Sequence, residues 1–85
     1  MMYRREVVFA CGDALTPDVA ARLTQVADRY KAALQLECAG KRVLLDSLIG
    51  ILSLECRRGT RLAVLGEGVD AAEAVEAIAA VLAGD

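Results

Sequence analysis

Residues 41–54, KRVLLDSLIGILSL, decide the fold of this chain because a polar pair divides one long apolar run. The first part, residues 41–45, predicts a strand that returns from a hairpin. Asp46 and Ser47 then precede a second apolar segment, residues 48–54, which by periodicity alone could be a buried strand or a helix. A helix is favoured, because Ser47 is a good N-cap and a strand here would need another turn.

The segments on either side of this run extend the pattern. Upstream, Leu34, Leu36 and Cys38 alternate with polar residues and predict a half-buried strand, which the turn at residues 39–40 joins to the strand at 41–45. Residues 3–10 alternate weakly and predict the first strand. The sequence therefore contains a hairpin that follows a strand and a helix.

The first helix begins at Thr16, because threonine accepts hydrogen bonds from free amides, Pro17 suits the first helical position and Asp18 complements the positive end of the helix. An apolar stripe at helical spacing then predicts a helix that ends near Tyr30. The stripe consists of Val19, Leu23, Val26, Ala27 and Tyr30.

Residues 60–65 predict the fourth strand, and the closing helix follows the Gly66-x-Gly68 turn. Asp70 and Glu73 have the spacing of a capping box at the start of that helix. The helix has an apolar stripe and ends at Gly84. The predicted order is β-α-β-β-α-β-α. We therefore expect a single α+β domain over residues 1–85, an open-faced sandwich with a four-stranded antiparallel sheet and helices on one face.

Composition excludes several classes of function. The 85 residues include 10 Lys plus Arg, 12 Asp plus Glu and no histidine, with a formal net charge of −2. We expect no nucleic-acid partner, because nonspecific binding needs a basic field. Without histidine there is no imidazole nucleophile, base or metal ligand. The sequence has no apolar run of about 20 residues, so we expect no membrane span and a cytoplasmic protein.

The three cysteines are widely spaced. Cys11, Cys38 and Cys56 form no Cys-x-x-Cys pair, and their number is odd. This pattern indicates thiols in a reducing compartment and not a zinc site. We therefore predict neither a metal nor another cofactor.

One segment of the chain resembles a known protein family. Residues 40–54 are similar to the Gly-Lys-x-Val-x-x-x-Ser-Ile-x-Gly-x-x-Ser-Leu segment of HPr, the phosphocarrier protein of the bacterial sugar phosphotransferase system. The similarity extends without gaps to Leu36-Glu37, Arg58-Gly59 and Gly66-x-Gly68. It implies the same element order that the patterns predict.

A second HPr motif differs in this chain. HPr carries Gly-Leu-His-Ala-Arg-Pro-Ala at its first helix, whereas residues 14–20 are Ala-Leu-Thr-Pro-Asp-Val-Ala. The resemblance thus places Thr16 at the phosphoacceptor histidine and Asp18 at the arginine that helps to hold the phosphate. Like charges about 4 Å apart repel by roughly 4 kcal/mol at an effective dielectric near 20, which exceeds the ~0.3–1 kcal/mol that a helix N-terminus offers an anion. A threonine phosphoester is also too stable for ready transfer. We therefore predict a non-enzymatic protein that is not a histidine phosphocarrier.

Ser47 matches the serine that a dedicated kinase phosphorylates in HPr and in its catabolite-repression paralogues. Leu48 and Leu52 share the short helix and could form an exposed patch for a partner. Alternatively, Ser47 is only a helix cap and both leucines belong to the core. Asp46 stands where many relatives have lysine, which is adverse for recognition by the kinase.

Three functional hypotheses follow. The first is a regulatory HPr-like protein that acts by contact with a protein partner, such as a kinase, a transcription regulator or a phosphotransferase component. The second is a phosphoacceptor that a kinase modifies at Ser47 or Thr16. The third is a structural module that assembles through its apolar surface, and the sequence does not decide its oligomeric state.

Overall fold

The predicted order of elements is confirmed. A computed structural model describes residues 2–85. Its elements are β1 (Met2–Val8), α1 (Pro17–Ala27), β2 (Ala33–Cys38), β3 (Lys41–Leu44), α2 (Leu48–Leu52), β4 (Arg61–Glu67) and α3 (Ala71–Ala83). The four strands form one antiparallel sheet in the order β1-β4-β2-β3. No helix within residues 2–85 is long and apolar enough to cross a bilayer.

The β2–β3 hairpin has a two-residue turn. Cys38 pairs with Lys41, and between them Ala39 and Gly40 have φ angles of 52° and 80°. Two successive positive φ angles are typical of a type I′ turn, whose twist matches that of the flanking strands. Glycine adopts this conformation freely, whereas Ala39 does so at a cost of about 1 kcal/mol.

The helices cover one face of the sheet. The core contains Leu34 and Leu36 from β2 and Leu62 and Val64 from β4, and all four are buried. The helical contribution comes from Ala20, Leu23, Ile51, Val75, Ile78 and Leu82. Where α3 crosses β4, a Cβ on Gly66 would lie 2.7 Å from Cγ2 of Val75. Only glycine permits this close approach of helix and strand.

Charged side chains cover part of the opposite face. Arg4 of β1 and Glu37 of β2 form an ion pair across β4, with Nη1 and Oε1 3.0 Å apart. Hydrogen bonds from Arg42 and from Arg4 lower the pKa of Glu37 below its usual value. Ala63 and Leu65, which pair with Glu37 and Arg4, are only 3% exposed. The side chains of β4 alternate between the two faces of the sheet, and they are buried on both faces.

Several element ends differ from the prediction, and β3 and α2 end at Leu44 and Leu52, before the predicted residues 45 and 54. Helix α1 ends at Ala27 and not near Tyr30, because the amides of Arg29 and Tyr30 bond to carbonyls only three residues back and tighten the last turn. β1 ends at Val8, although Phe9 continues the pairing by donating to the carbonyl of Thr60. β4 runs over Arg61–Glu67, beyond the predicted residues 60–65, because β1 and β2 pair with it to its end.

The predicted capping box at α3 is wrong. The Asp70 side chain makes no hydrogen bond to its own helix. Its carboxylate instead accepts from the backbone amides of Lys31 and Ala32, at 2.9 and 2.8 Å. These amides immediately precede β2, so a carboxylate there satisfies two donors at once. Asp70 thus ties the start of α3 to the start of β2.

Candidate functional site

The first candidate position is the N-terminus of α1. Thr16 is exposed, and its Oγ1 accepts a hydrogen bond from the amide of Val19 at 3.4 Å. Its carbonyl accepts from the amide of Ala20 at 2.9 Å, and Pro17 has no amide to satisfy. Thr16 is therefore the N-cap that the sequence predicts.

A backbone network fixes the segment that leads into α1. The amide of Leu15 donates to the carbonyl of Cys56 at 3.0 Å, and the amide of Arg58 donates to the carbonyl of Asp13 at 3.0 Å. The guanidinium of Arg58 also lies 3.6 Å from the Asp13 carboxylate and donates to the carbonyl of Ala10 at 3.3 Å. Thr16 is thus held in place between the helix and this paired loop.

A carboxylate follows Thr16 at this end of α1. Asp18 is exposed and lies in the first turn of α1. Its charge is favourable at the positive end of a helix, so it stabilises α1 and opposes a second anion there. The chain as a whole contains no histidine. A hydroxyl forms a phosphoester, which is far more stable than the nitrogen–phosphorus bond that an imidazole forms.

The second candidate position is the N-terminus of α2. Ser47 is half-buried, and its Oγ accepts from the amide of Gly50 at 3.1 Å. A Cβ on Gly50 would lie 3.2 Å from this Oγ, so the absence of a side chain at Gly50 leaves space for the hydroxyl. Ser53 ends the helix, with its Oγ donating to the carbonyl of Gly50 at 2.6 Å. Ser47 therefore has the same capping role as Thr16.

An apolar surface lies directly after Ser47. Leu48, Ile49 and Leu52 are 45%, 84% and 38% exposed, and we call these three residues the α2 patch. Ile51 on the same helix is fully buried in the core. Leu48 and Leu52 are therefore surface residues and not the core residues of the alternative interpretation. Whether a partner binds them remains a prediction.

The sequence analysis missed Ile49, the most exposed member of the α2 patch. Helical geometry was enough to identify it, because successive residues of a helix are 100° apart. Leu48, Ile49 and Leu52 therefore share one face, away from Ile51. Helices α1 and α2 pack against each other. The two caps thus lie on neighbouring helices of the same layer, and each hydroxyl is bonded within its own helix.

Comparison with known proteins agrees with this architecture. The family model for the phosphotransferase HPr component phosphorylation site matches residues 3–84. A phosphocarrier protein HPr from Bacillus anthracis is 36% identical, with a TM-score of 0.90 and coverage of 95% of this chain and 96% of that protein. The solution structure of Crh, the catabolite repression HPr of Bacillus subtilis, is 32% identical, with a TM-score of 0.75 and coverage of 100% and 99%.

A crystal structure of Crh from Bacillus subtilis, which forms a dimer with a swapped domain, is also similar. It is 34% identical, with a TM-score of 0.77, and the match covers 84% of this chain and 82% of that protein. The agreement spans nearly the whole chain in both sequence and fold. This protein belongs to the HPr family of the phosphotransferase system.

Proposed function

We propose that this HPr-family protein acts by contact with protein partners and does not carry phosphate on histidine. The residues at the N-terminus of α1 support the proposal. By the sequence resemblance, Thr16 stands at the position of the family's phosphoacceptor. Its hydroxyl already accepts from the amide of Val19, and Asp18 lies in the first turn. The rest of the family scaffold is present.

The chemistry of Thr16 supports a loss of carrier function. An imidazole forms a nitrogen–phosphorus bond that transfers readily, whereas a threonine phosphoester would retain the group. Phosphate at Thr16 would bring nearly two negative charges to the carboxylate of Asp18. The resulting electrostatic repulsion exceeds the stabilisation that a helix N-terminus gives to an anion.

The test is phosphorylation by enzyme I with phosphoenolpyruvate, followed by intact mass at neutral pH. We expect no added phosphate on this protein, while an authentic HPr in the same reaction is phosphorylated. Transfer at the rate of the authentic HPr would overturn the proposal. Alkylation of the thiols before the mass measurement keeps cysteine adducts out of the result.

The second candidate function is that of a kinase substrate at Ser47. The α2 patch favours it, because an exposed apolar surface beside a helix-capping serine offers a kinase both a docking site and an acceptor. A phosphoserine at a helix N-terminus meets free amides, so the fold is expected to survive modification. Phosphopeptide mapping after incubation with an HPr kinase and ATP decides between Ser47, Thr16 and neither residue.

Assembly through the α2 patch is the remaining alternative, and its support is the exposure of Ile49 at 84%. Sedimentation over a range of concentrations tests it. A weight-average mass that rises with concentration in the protein, and not in an Ile49→Glu variant, would favour assembly. A strict monomer at all concentrations would remove this alternative.

A further inference from the structure

Two cysteines that are distant in the sequence meet at the edge of the core. Cys38 is the last residue of β2, and Cys56 lies between α2 and β4. Their Sγ atoms are 3.9 Å apart, although 18 positions separate them in the chain. A disulfide requires about 2.05 Å between the sulfurs, so they need to approach by about 1.9 Å. Neither the spacing nor the odd number of cysteines predicted this contact.

Cys56 lies in a loop and belongs to no helix or strand. Its carbonyl accepts from the amide of Leu15, and its side chain packs at the edge of the core. The Sγ of Cys38 makes only a long contact of 3.8 Å with the carbonyl of Arg61. Because Cys56 lies outside the helices and strands, we expect rotation of the two side chains and a small shift of this loop to bring the sulfurs together.

The two thiols differ in access to solvent. Cys38 is half-buried and lines an open surface depression together with Lys41, Ser53 and Glu55. Cys56 is 2% exposed. Burial, followed by the charge of a Cys38 thiolate, raises the pKa of Cys56 to about 12. A dissolved reagent therefore reaches Cys38 first, and Cys56 remains a protonated thiol until then.

We propose that Cys38 and Cys56 form a reversible intramolecular disulfide when the protein meets a low-molecular-weight disulfide. The Cys38 thiolate attacks one sulfur of the reagent, breaks its S–S bond and releases one thiol. Cys56 then attacks Sγ of Cys38 and its proton passes to the departing thiolate, which forms the protein disulfide and releases the second thiol. The two cysteines are oxidised and one molecule of reagent is reduced to two thiols, so the step balances.

The cross-link would enclose the segment that carries Ser47 and the α2 patch. The segment between the two cysteines contains β3, Ser47 and all of α2. Closing this segment restricts the unfolded chain, which stabilises the folded state. The disulfide would also tie the end of β2 to the chain that follows α2. This inference does not depend on the proposed function, because the pairing of the thiols is independent of any partner.

The test treats the folded protein with glutathione disulfide, blocks remaining thiols by alkylation and digests the chain with trypsin without reduction. We expect a species about 2 Da lighter than the reduced protein before alkylation, and a cross-linked pair of the peptides 32–41 and 43–57. Dithiothreitol should restore the two separate peptides. Thermal unfolding should shift upward by about 5–15 °C in the oxidised protein.

Cys11 supplies the matched control, because it is also half-buried and its position is outside the enclosed segment. Cys11→Ser should still form the cross-link, whereas Cys38→Ser and Cys56→Ser should each lose it. Cys38→Ser, at the more exposed position, keeps the test valid if Cys56→Ser fails to fold. Persistent glutathione on Cys38, a linkage to Cys11 or no reaction would each overturn the inference.

Discussion

The N-termini of α1 and α2 use the same local interaction on two different surfaces. Thr16 and Ser47 both have extended backbones, and each side-chain oxygen accepts from the amide three residues later. Thr16 is exposed and is followed by Pro17 and Asp18, whereas Ser47 is half-buried and precedes the α2 patch. The capping bond therefore explains why each hydroxyl is there, and only the neighbouring residues distinguish what the two ends can do.

This comparison separates a charged end from an apolar end. At α1, Asp18 satisfies the helix dipole and opposes a bound phosphate. At α2, Leu48 and Ile49 leave apolar area in water that a partner protein can cover. The proposal that the protein acts through α2 and does not carry phosphate at α1 rests on this difference.

The largest expected effect concerns which hydroxyl is modified. Ser47→Ala removes the acceptor, so we expect complete loss of phosphate incorporation with an HPr kinase and ATP. Thr16→Ala should retain the parent rate. Radiolabel incorporation followed by phosphopeptide mapping measures both variants. Loss of label in Thr16→Ala with label retained in Ser47→Ala would reverse the roles of the two ends.

The next effect concerns the α2 patch. Ile49→Glu places a charge on the most exposed residue of this surface. We expect the rate of kinase modification to fall about tenfold, which corresponds to about 1.4 kcal/mol of binding. Val69→Glu is the matched control, because Val69 is 93% exposed and lies outside α2. Equal rates for the two variants would show that α2 is not the docking surface.

The capping bonds themselves should differ in strength. Ser47→Ala should lower the free energy of unfolding by about 1 kcal/mol and Thr16→Ala by about 0.5 kcal/mol, since the bond at Ser47 is shorter and less exposed. Urea unfolding followed by circular dichroism gives both values. Val69→Ala, at an exposed position, provides the baseline. A larger loss for Thr16→Ala would contradict the comparison.

The smallest effect concerns the charge beside Ser47. Asp46 is exposed and would repel a phosphate formed on Ser47. We expect Asp46→Lys to raise the rate of kinase modification about threefold at low ionic strength, and the gain to shrink in high salt. Glu6→Lys makes the same change of charge on exposed β1, at the opposite edge of the sheet from β3, and should leave the rate unchanged. A similar gain in both variants would indicate only a general effect of net charge.

The order of elements and both helix caps could be predicted because they depend on local pattern. Proline at the first turn, a hydroxyl before it and alternation in the strands act over a few residues. The α1 end near Tyr30 was predicted too late, because Tyr30 still packs against the core after the helix has ended. Apolar spacing reports burial and not the hydrogen bonds that end a helix.

The missed features depend on contacts between distant residues. Asp70 has the spacing of a capping box, but its carboxylate bonds to amides near residue 31 that are close only in the folded chain. The contact between Cys38 and Cys56 likewise arises from the folding of α2 and the loop after it. Exposure of Ile49 followed from helical geometry and required only that the face of α2 be worked out.

The proposed absence of phosphoryl transfer at α1 depends on the residues at positions 16 and 18. The most direct measurement compares the protein with its Thr16→His/Asp18→Arg double variant in a reaction with enzyme I and phosphoenolpyruvate, by intact mass at neutral pH. We predict that the double variant gains one phosphate and that the parent protein gains none. Phosphate on the parent protein at the rate of the double variant would contradict the claim.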